Sequence, residues 1–188
     1  MNNTTRYGFI VIKPDALRQF LDINILQLIQ QSSLEIVMQK AIRLKPEQVK
    51  KTYVEKLPEP YYPLLQEFMS KDASICIVVR SHENALAEAH RLKDQIRQTL
   101  KLKTFSVTKD DLELLRAREH PQQAEITKEM ALENLIHSSD TFDEVLSSII
   151  AIFDEDEIKD LAHRDPELGR YLQEYRQEQT EGQELSIH

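Results

Sequence analysis

Glycine is scarce in this chain: Gly8, Gly169 and Gly182 are the only three among 188 residues. At an ordinary usage of roughly 7%, a chain of this length holds about thirteen. Three glycines this far apart exclude the phosphate-cradling patterns G-x-G-x-x-G and G-x-x-x-x-G-K-[ST]. Any phosphate chemistry must therefore use side chains and helix ends. Tryptophan is absent, and cysteine occurs once, as Cys76 in "ASICIVV". A lone thiol cannot pair within the chain and has no partner at metal-ligand spacing, so it reads as a core residue in a reducing, cytoplasmic setting. No apolar run approaches the roughly 18 residues that span a bilayer. The opening "MNNTTRYGF" lacks the basic and apolar regions of a signal peptide.

The net charge of −8 is unevenly spread. Residues 154–188 hold eleven acidic and four basic side chains, a net of −7, which leaves −1 for residues 1–153. The acidity belongs to the tail and says little about the ligand of the main domain. No strong basic block stands out, so neither a membrane nor a specific nucleic acid is expected as a partner.

What is present has the rhythm of a mixed fold. "RYGFIVIKPD" is a β-rich run that stops at Pro14, and 16–32 carry apolar residues at helix spacing. "LEIVMQKAIRL" reads as a second strand, and Pro46 opens a short helix. A proline-bounded turn in "EPYYPLLQEFMS" leads into another. "ASICIVVR" is a continuous apolar run suited to the middle of a sheet. "HENALAEAHRLKDQIRQTL" is a helix. Residues 101–130 are polar and mixed, with a helix expected at 109–118 and a loop at His120-Pro121. "MALENLIH" holds a short strand, followed by a helix from about 141 to 152. Strands joined by helices make an α/β sandwich, with helices able to cover one sheet face. In the tail, Asp165-Pro166 reads as N-cap and first helical residue. Leu168, Tyr171, Leu172 and Tyr175 then form one apolar stripe, expected to pack on the chain's own domain or on a neighbouring subunit. Fraying is expected after Gln177.

Three segments offer chemistry. Lys13 ends an apolar strand directly before Pro14-Asp15, where a point charge can meet phosphate; a solvated lysine beside a turn is the plainer reading. His137 precedes Thr141 and Glu144, which fit the capping box T-x-x-E. The first turn of such a helix supplies N–H groups and the positive end of the macrodipole. A neutral imidazole there is a competent nucleophile, although the local pattern by itself favours a capped helix beside an incidental loop histidine. "YVEKLPEPYYPLL" holds Tyr53, Tyr61 and Tyr62, three of the six tyrosines, between prolines. Aromatics on a rigid backbone can stack a base, or simply form a packing corner.

Together, "FIVIKPDAL", "YVEKLPEPYYPLL" and "NLIHSSDT" resemble the nucleoside diphosphate kinase family, across about 6–92 and 130–153. The last segment is similar to that family's N-x-x-H-G-S-D, in which the histidine is phosphorylated. The resemblance implies an α+β fold, a ferredoxin-like sandwich with a four-stranded antiparallel sheet covered by helices. That domain would span 1–153 with an insert at about 93–130, and an acidic helical extension would follow at 154–188. It implies ping-pong transfer of the γ-phosphoryl of a Mg²⁺-bound nucleoside triphosphate to a nucleoside diphosphate, by a homo-oligomer. Carried over by position, His137 is the nucleophile. Lys13 and Tyr53 contact phosphates. Tyr61 stacks the base beside Leu65, Asn134 contacts sugar and phosphate, and Ser139 supports the histidine.

The chain departs from the family pattern at several positions. Ser138 replaces the glycine after the histidine, and Ser148 falls where a glutamate orients it. The arginine of the helix after the third strand falls at His90, with Arg91 adjacent. Arg116 in "LLRARE" is the best counterpart of a second phosphate arginine. These departures motivate an alternative, a nucleotide-binding module with weak or no kinase activity, because cations are the main tool for stabilising phosphoryl transfer.

Overall fold

The first strand, β1 (Tyr7–Ile12), is buried at all six positions, which requires protein against both of its faces. The computed structural model describes residues 6–100 and 132–185. Its other strands are β2 (Glu35–Ile42), β3 (Ser74–Arg80) and β4 (Ile136–Ser138). They form one sheet in the order β2-β3-β1-β4, with every neighbouring pair antiparallel. The apolar run of β3 lies between β2 and β1, as its lack of polar alternation predicts.

The helices are α1 (Pro14–Arg18), α2 (Asp22–Gln31), α3 (Pro46–Thr52), α4 (Tyr62–Lys71) and α5 (Ala85–Leu100), then α6 (Phe142–Ile152), α7 (Glu155–Arg164) and α8 (Pro166–Leu185). A 3₁₀ turn covers Val54–Lys56. The helices cover both sheet faces, not one. Ile10 and Ile12 point into a cluster with Ile25 and Ile29 of α2 and Ala89, Leu92 and Ile96 of α5. Phe9 and Val11 point the other way, toward Val49, Leu65, Met69, Val145 and Ile149. Period-two alternation on a strand buried on both faces produces two cores.

The single helix expected over 16–32 is two. The Leu21 N–H bonds the Ala16 carbonyl at 2.9 Å, and the Phe20 N–H bonds that of Leu17 at 3.0 Å. These are the paired bonds of a Schellman ending, with Phe20 at the left-handed position, φ 56°. Glycine normally stands there, so the apolar spacing that continues through Phe20 concealed the break. Helix α5 runs to Leu100 and so takes in residues 93–100. The helix expected at 109–118 and the loop at His120-Pro121 lie outside the described residues.

The C-terminal stripe packs on its own domain. Leu168 and Leu172 join the core cluster of Phe9 and Val145, and Tyr171 meets the rings of Tyr7 and Phe142 edge-on, at 6.4 and 5.2 Å. Asp165 anchors the start of α8. It accepts hydrogen bonds from the Tyr7 hydroxyl at 2.8 Å and Arg80 Nη1 at 3.0 Å. The acidic tail carries two helices, α7 and α8, and the second continues to Leu185, past the fraying expected after Gln177. Gly169 lets the pair approach closely: a Cβ there would stand 2.6 Å from that of Ala162 on α7.

Candidate active site

Strand register puts His137 beside Val11 on β1. Val11 faces the cluster of Phe9, Tyr53 and Leu65, so His137 faces it too; a slip of one residue would turn the imidazole to the opposite face. The Tyr53 ring lies 4.2 Å from the imidazole, tilted by 33°. The Tyr53 hydroxyl points into the core and donates to Met69 Sδ at 3.6 Å. The phenol therefore offers the site its ring, whereas the phosphate contact carried over from the resemblance would need its hydroxyl.

A strained turn delivers the strand. Leu135 has φ 68°, and the Ile136 N–H bonds the Asn134 carbonyl across it at 2.8 Å. This is a γ-turn of the rare left-handed kind, which costs on the order of 1–3 kcal/mol for a residue with a side chain. The surroundings hold it from three sides. Asp15 Oδ2 accepts the Leu135 N–H at 2.9 Å, and the Leu135 carbonyl accepts the Lys13 N–H at 2.9 Å. Arg97 donates from Nε to the Asn134 carbonyl at 3.1 Å and from Nη2 to the Ile136 carbonyl at 2.8 Å. The Lys13-Pro14-Asp15 segment thus clamps the turn ahead of the histidine. Burial pushes the Asp15 carboxyl upward despite the opposing charge of Lys13.

Next to His137 is a cavity of about 620 Å³, counting its open mouth. Its cations are Lys13, Lys56, Lys93 and Arg97, and its carboxylates are Glu55 and Asp140. Tyr53, Tyr61 and Leu65 form an apolar wall, and Asn134, His137 and Ser138 complete the lining. The Lys13 ammonium donates to Asn134 Oδ1 at 2.9 Å. Burial holds the His137 imidazole well below its usual range, and Lys13, Lys93, Lys56 and Arg97 push it the same way, so the ring is neutral at pH 7. Its Nε2 is buried with no hydrogen-bond partner among the described residues. Burial pushes Glu55 up to about 7, aided by Glu144 and Asp140. Both Glu55 oxygens are buried without a hydrogen bond; the Lys56 ammonium, at 3.9 Å, is beyond that range. Burial likewise pushes the Tyr61 phenol to about 12.

The capping box at Thr141 is present, with the Thr141 Oγ1 accepting the Glu144 N–H at 3.3 Å. The Glu144 carboxylate reaches back to the N–H groups of Asp140, at 2.7 Å, and Thr141, at 3.3 Å. Of the first-turn donors expected from the sequence, the Glu144 N–H is thus taken by Thr141, while the Glu144 carboxylate engages the two N–H groups just ahead of the helix. Ser139 lies beside the cavity lining: its N–H bonds the Phe9 carbonyl at 3.0 Å, and its own carbonyl meets His90 Nε2 at 3.1 Å. His90 Nε2 also lies 3.0 Å from Asp140 Oδ1, so this side chain holds the segment after His137. The hydroxyls of Ser138, Ser139 and Ser148 are buried without partners among the described residues.

Six of the nine candidates line this cavity: Lys13, Tyr53, Tyr61, Leu65, Asn134 and His137. Arg91 does not. It pairs with Glu88 on the outer face of α5 and borders a separate hollow with Ser33 and Asn84. Arg116 lies outside the described residues. The cations that do reach the cavity from α5, Lys93 and Arg97, were missed in the sequence. The signal was their spacing: positions 90, 93 and 97 share one helix face.

The nucleoside diphosphate kinase family model matches residues 6–158. A nucleoside diphosphate kinase of Phenylobacterium zucineum is 30% identical over 159 residues, which cover 82% of this chain and 98% of that protein. That of Methanocaldococcus jannaschii is 28% identical over 158 residues, 81% of this chain and 96% of that one. Among solved structures, the Aquifex aeolicus nucleoside diphosphate kinase superposes with a TM-score of 0.55 at 22% identity, covering 81% of this chain and 97% of that one. A transition-state mimic of the Borrelia burgdorferi enzyme with bound vanadate and ADP gives 0.55 at 19% identity, over 81% and 89% of the two chains. Among the described residues, no helix is long and apolar enough to cross a membrane. With its antiparallel sheet and this match over most of its length, the chain belongs to the nucleoside diphosphate kinase family.

Proposed function

We propose that this protein transfers the γ-phosphoryl group of a nucleoside triphosphate to a nucleoside diphosphate through a phosphohistidine at His137. The observation that carries this reading is a neutral, buried imidazole on the wall of a cavity with four cationic side chains. With Nε2 buried and unpartnered, Nδ1 is the ring nitrogen left to act as the nucleophile. Its lone pair attacks the γ-phosphorus, an N–P bond forms, and the bond from that phosphorus to the β-phosphate oxygen breaks. The diphosphate leaves with that electron pair. An acceptor diphosphate then attacks the phosphohistidine through a terminal oxygen, and the N–P bond breaks. No base is needed, because the attacking nitrogen carries no proton.

The cationic wall supplies the charge stabilisation on which phosphoryl transfer depends. Lys13 and Asn134, joined by a hydrogen bond, flank the nucleophile's turn. Tyr61 and Leu65 offer an apolar surface to the base, one that is tolerant of base identity. Mg²⁺ fits as a companion of the nucleotide. The described residues contain no cluster of three or more metal-ligating side chains, but the cavity has the carboxylates of Glu55 and Asp140. Such a cation binds mainly through substrate phosphates and neutralises their charge.

A homo-oligomer in the cytoplasm completes the reading. The open edge of β2 is a template for pairing with another copy, and a single buried thiol suits a reducing compartment. The decisive experiment follows phosphoryl transfer from ATP to GDP and acid-labile phosphate on the full chain. Both should appear in the wild type and vanish in His137→Ala. Nucleotide binding without either would instead support a binding module.

A further inference from the structure

The family pattern puts an arginine at position 90, where this chain has a histidine. His90, Lys93 and Arg97 form one stripe on α5, spaced three and four residues apart, and α5 packs along β4. Two of the three are engaged by protein. His90 is held by the Ser139 carbonyl and the Asp140 carboxylate. Arg97 holds the two carbonyls of the γ-turn. Lys93, one turn before Arg97, lines the cavity and makes no hydrogen bond or ion pair with any described residue.

A half-buried ammonium among other cations is unfavourable unless an anion completes its surroundings. Burial and the neighbouring Arg97 hold the Lys93 ammonium below its usual range, against the opposing charges of Asp140 and Asp94. Lys93 and His137 line the same cavity. A polyphosphate is an anion of the needed size and charge.

We propose that Lys93 is a phosphate-binding residue whose ammonium meets the transferring end of the nucleotide's phosphate chain, one turn along α5 from the position where the family pattern has arginine. This rests on the nucleotide reading of the cavity. Arg97, by contrast, is a positioning residue, because its Nε and Nη2 hold the turn.

The test uses the full chain with Lys93→Met, Lys93→Gln and Lys93→Arg. Rapid-quench measurement of phosphoenzyme formation from ATP is paired with calorimetry using ATP and adenosine. The neutral variants should slow phosphoenzyme formation about 100- to 1,000-fold, the loss typical of one transition-state charge donor. They should weaken ATP binding about tenfold while leaving adenosine binding and melting temperature unchanged, and Lys93→Arg should recover much of the rate. Phosphoenzyme formation within about threefold of wild type in folded Met or Gln variants, or equal losses for ATP and adenosine, overturns the proposal. If the wild type forms no phosphoenzyme, the kinase reading fails by itself. The ATP-against-adenosine comparison then still decides whether Lys93 binds phosphate.

Discussion

Arg97 donates from Nη2 to the carbonyl of Ile136 at 2.8 Å, one residue ahead of His137. A side chain on α5 thereby holds the backbone that presents His137, and its Nε holds the Asn134 carbonyl of the same strained turn. Arg97→Met should leave the Ile136 carbonyl without its donor and the Asn134 carbonyl with only the γ-turn bond, at a cost of about 1–3 kcal/mol at most. Denaturant unfolding should show that loss, and His137 phosphorylation should fall in parallel. Unchanged phosphorylation in a folded Arg97→Met protein would remove Arg97 from the positioning role.

Glu55 sets a pH dependence of a definite sign. Its carboxyl sits at about 7 in the folded protein against an ordinary 4.5. Between those values the folded state holds the proton more tightly than the unfolded chain, so this group favours folding as pH falls from 7 toward 4.5 and disfavours it above. Glu55→Gln should therefore raise the melting temperature at pH 8 and change it little at pH 5. His137 acts in the opposite sense: its depressed value weakens folding as pH falls below the ordinary 6.5. Melting curves of both variants across pH 5–8 separate the two groups.

Gly169 should resist replacement. Alanine is favoured over glycine in a helix interior by about 1 kcal/mol, so helix propensity alone predicts a gain. A Cβ at 169 would meet the Ala162 Cβ at 2.6 Å and its Cα at 2.9 Å, both on the rigid body of α7. Overpacking of this kind costs about 1–3 kcal/mol, so Gly169→Ala should destabilise in urea titrations.

Phe20→Gly should do the reverse. Phe20 closes α1 at φ 56°, with its side chain 84% exposed. The left-handed conformation costs a residue with a Cβ about 1–2 kcal/mol, and the lost ring contributes little burial. After the entropic cost of glycine, a net gain of about 0.5–1 kcal/mol is expected in thermal or denaturant unfolding.

Local chemistry was legible wherever it depended on neighbours in sequence. Thr141 and Glu144 announced their capping box, and the Lys-Pro-Asp segment marked the end of β1. The break at Phe20 was hidden because an aromatic residue fills a glycine position and continues the apolar spacing. Arg91 attracted attention because it adjoins position 90, but a neighbour in sequence on a helix points about 100° away, and here toward Glu88. Lys93 and Arg97 were missed because their meaning depends on β4, which lies roughly forty residues further on.

The sequence by itself determined the main strands, the cap that follows His137 and the absence of a glycine cradle, each of which follows from residue type and short spacing. Its motifs resembled the family to which the chain belongs. The tertiary structure decided which side chains surround the histidine. Pairing of Val11 with His137 selects the sheet face, burial among four cations keeps the imidazole neutral, and the phase of α5 against β4 turns Lys93 and Arg97 inward. Register, burial and helix phase depend on contacts between distant segments, and no local pattern specifies them.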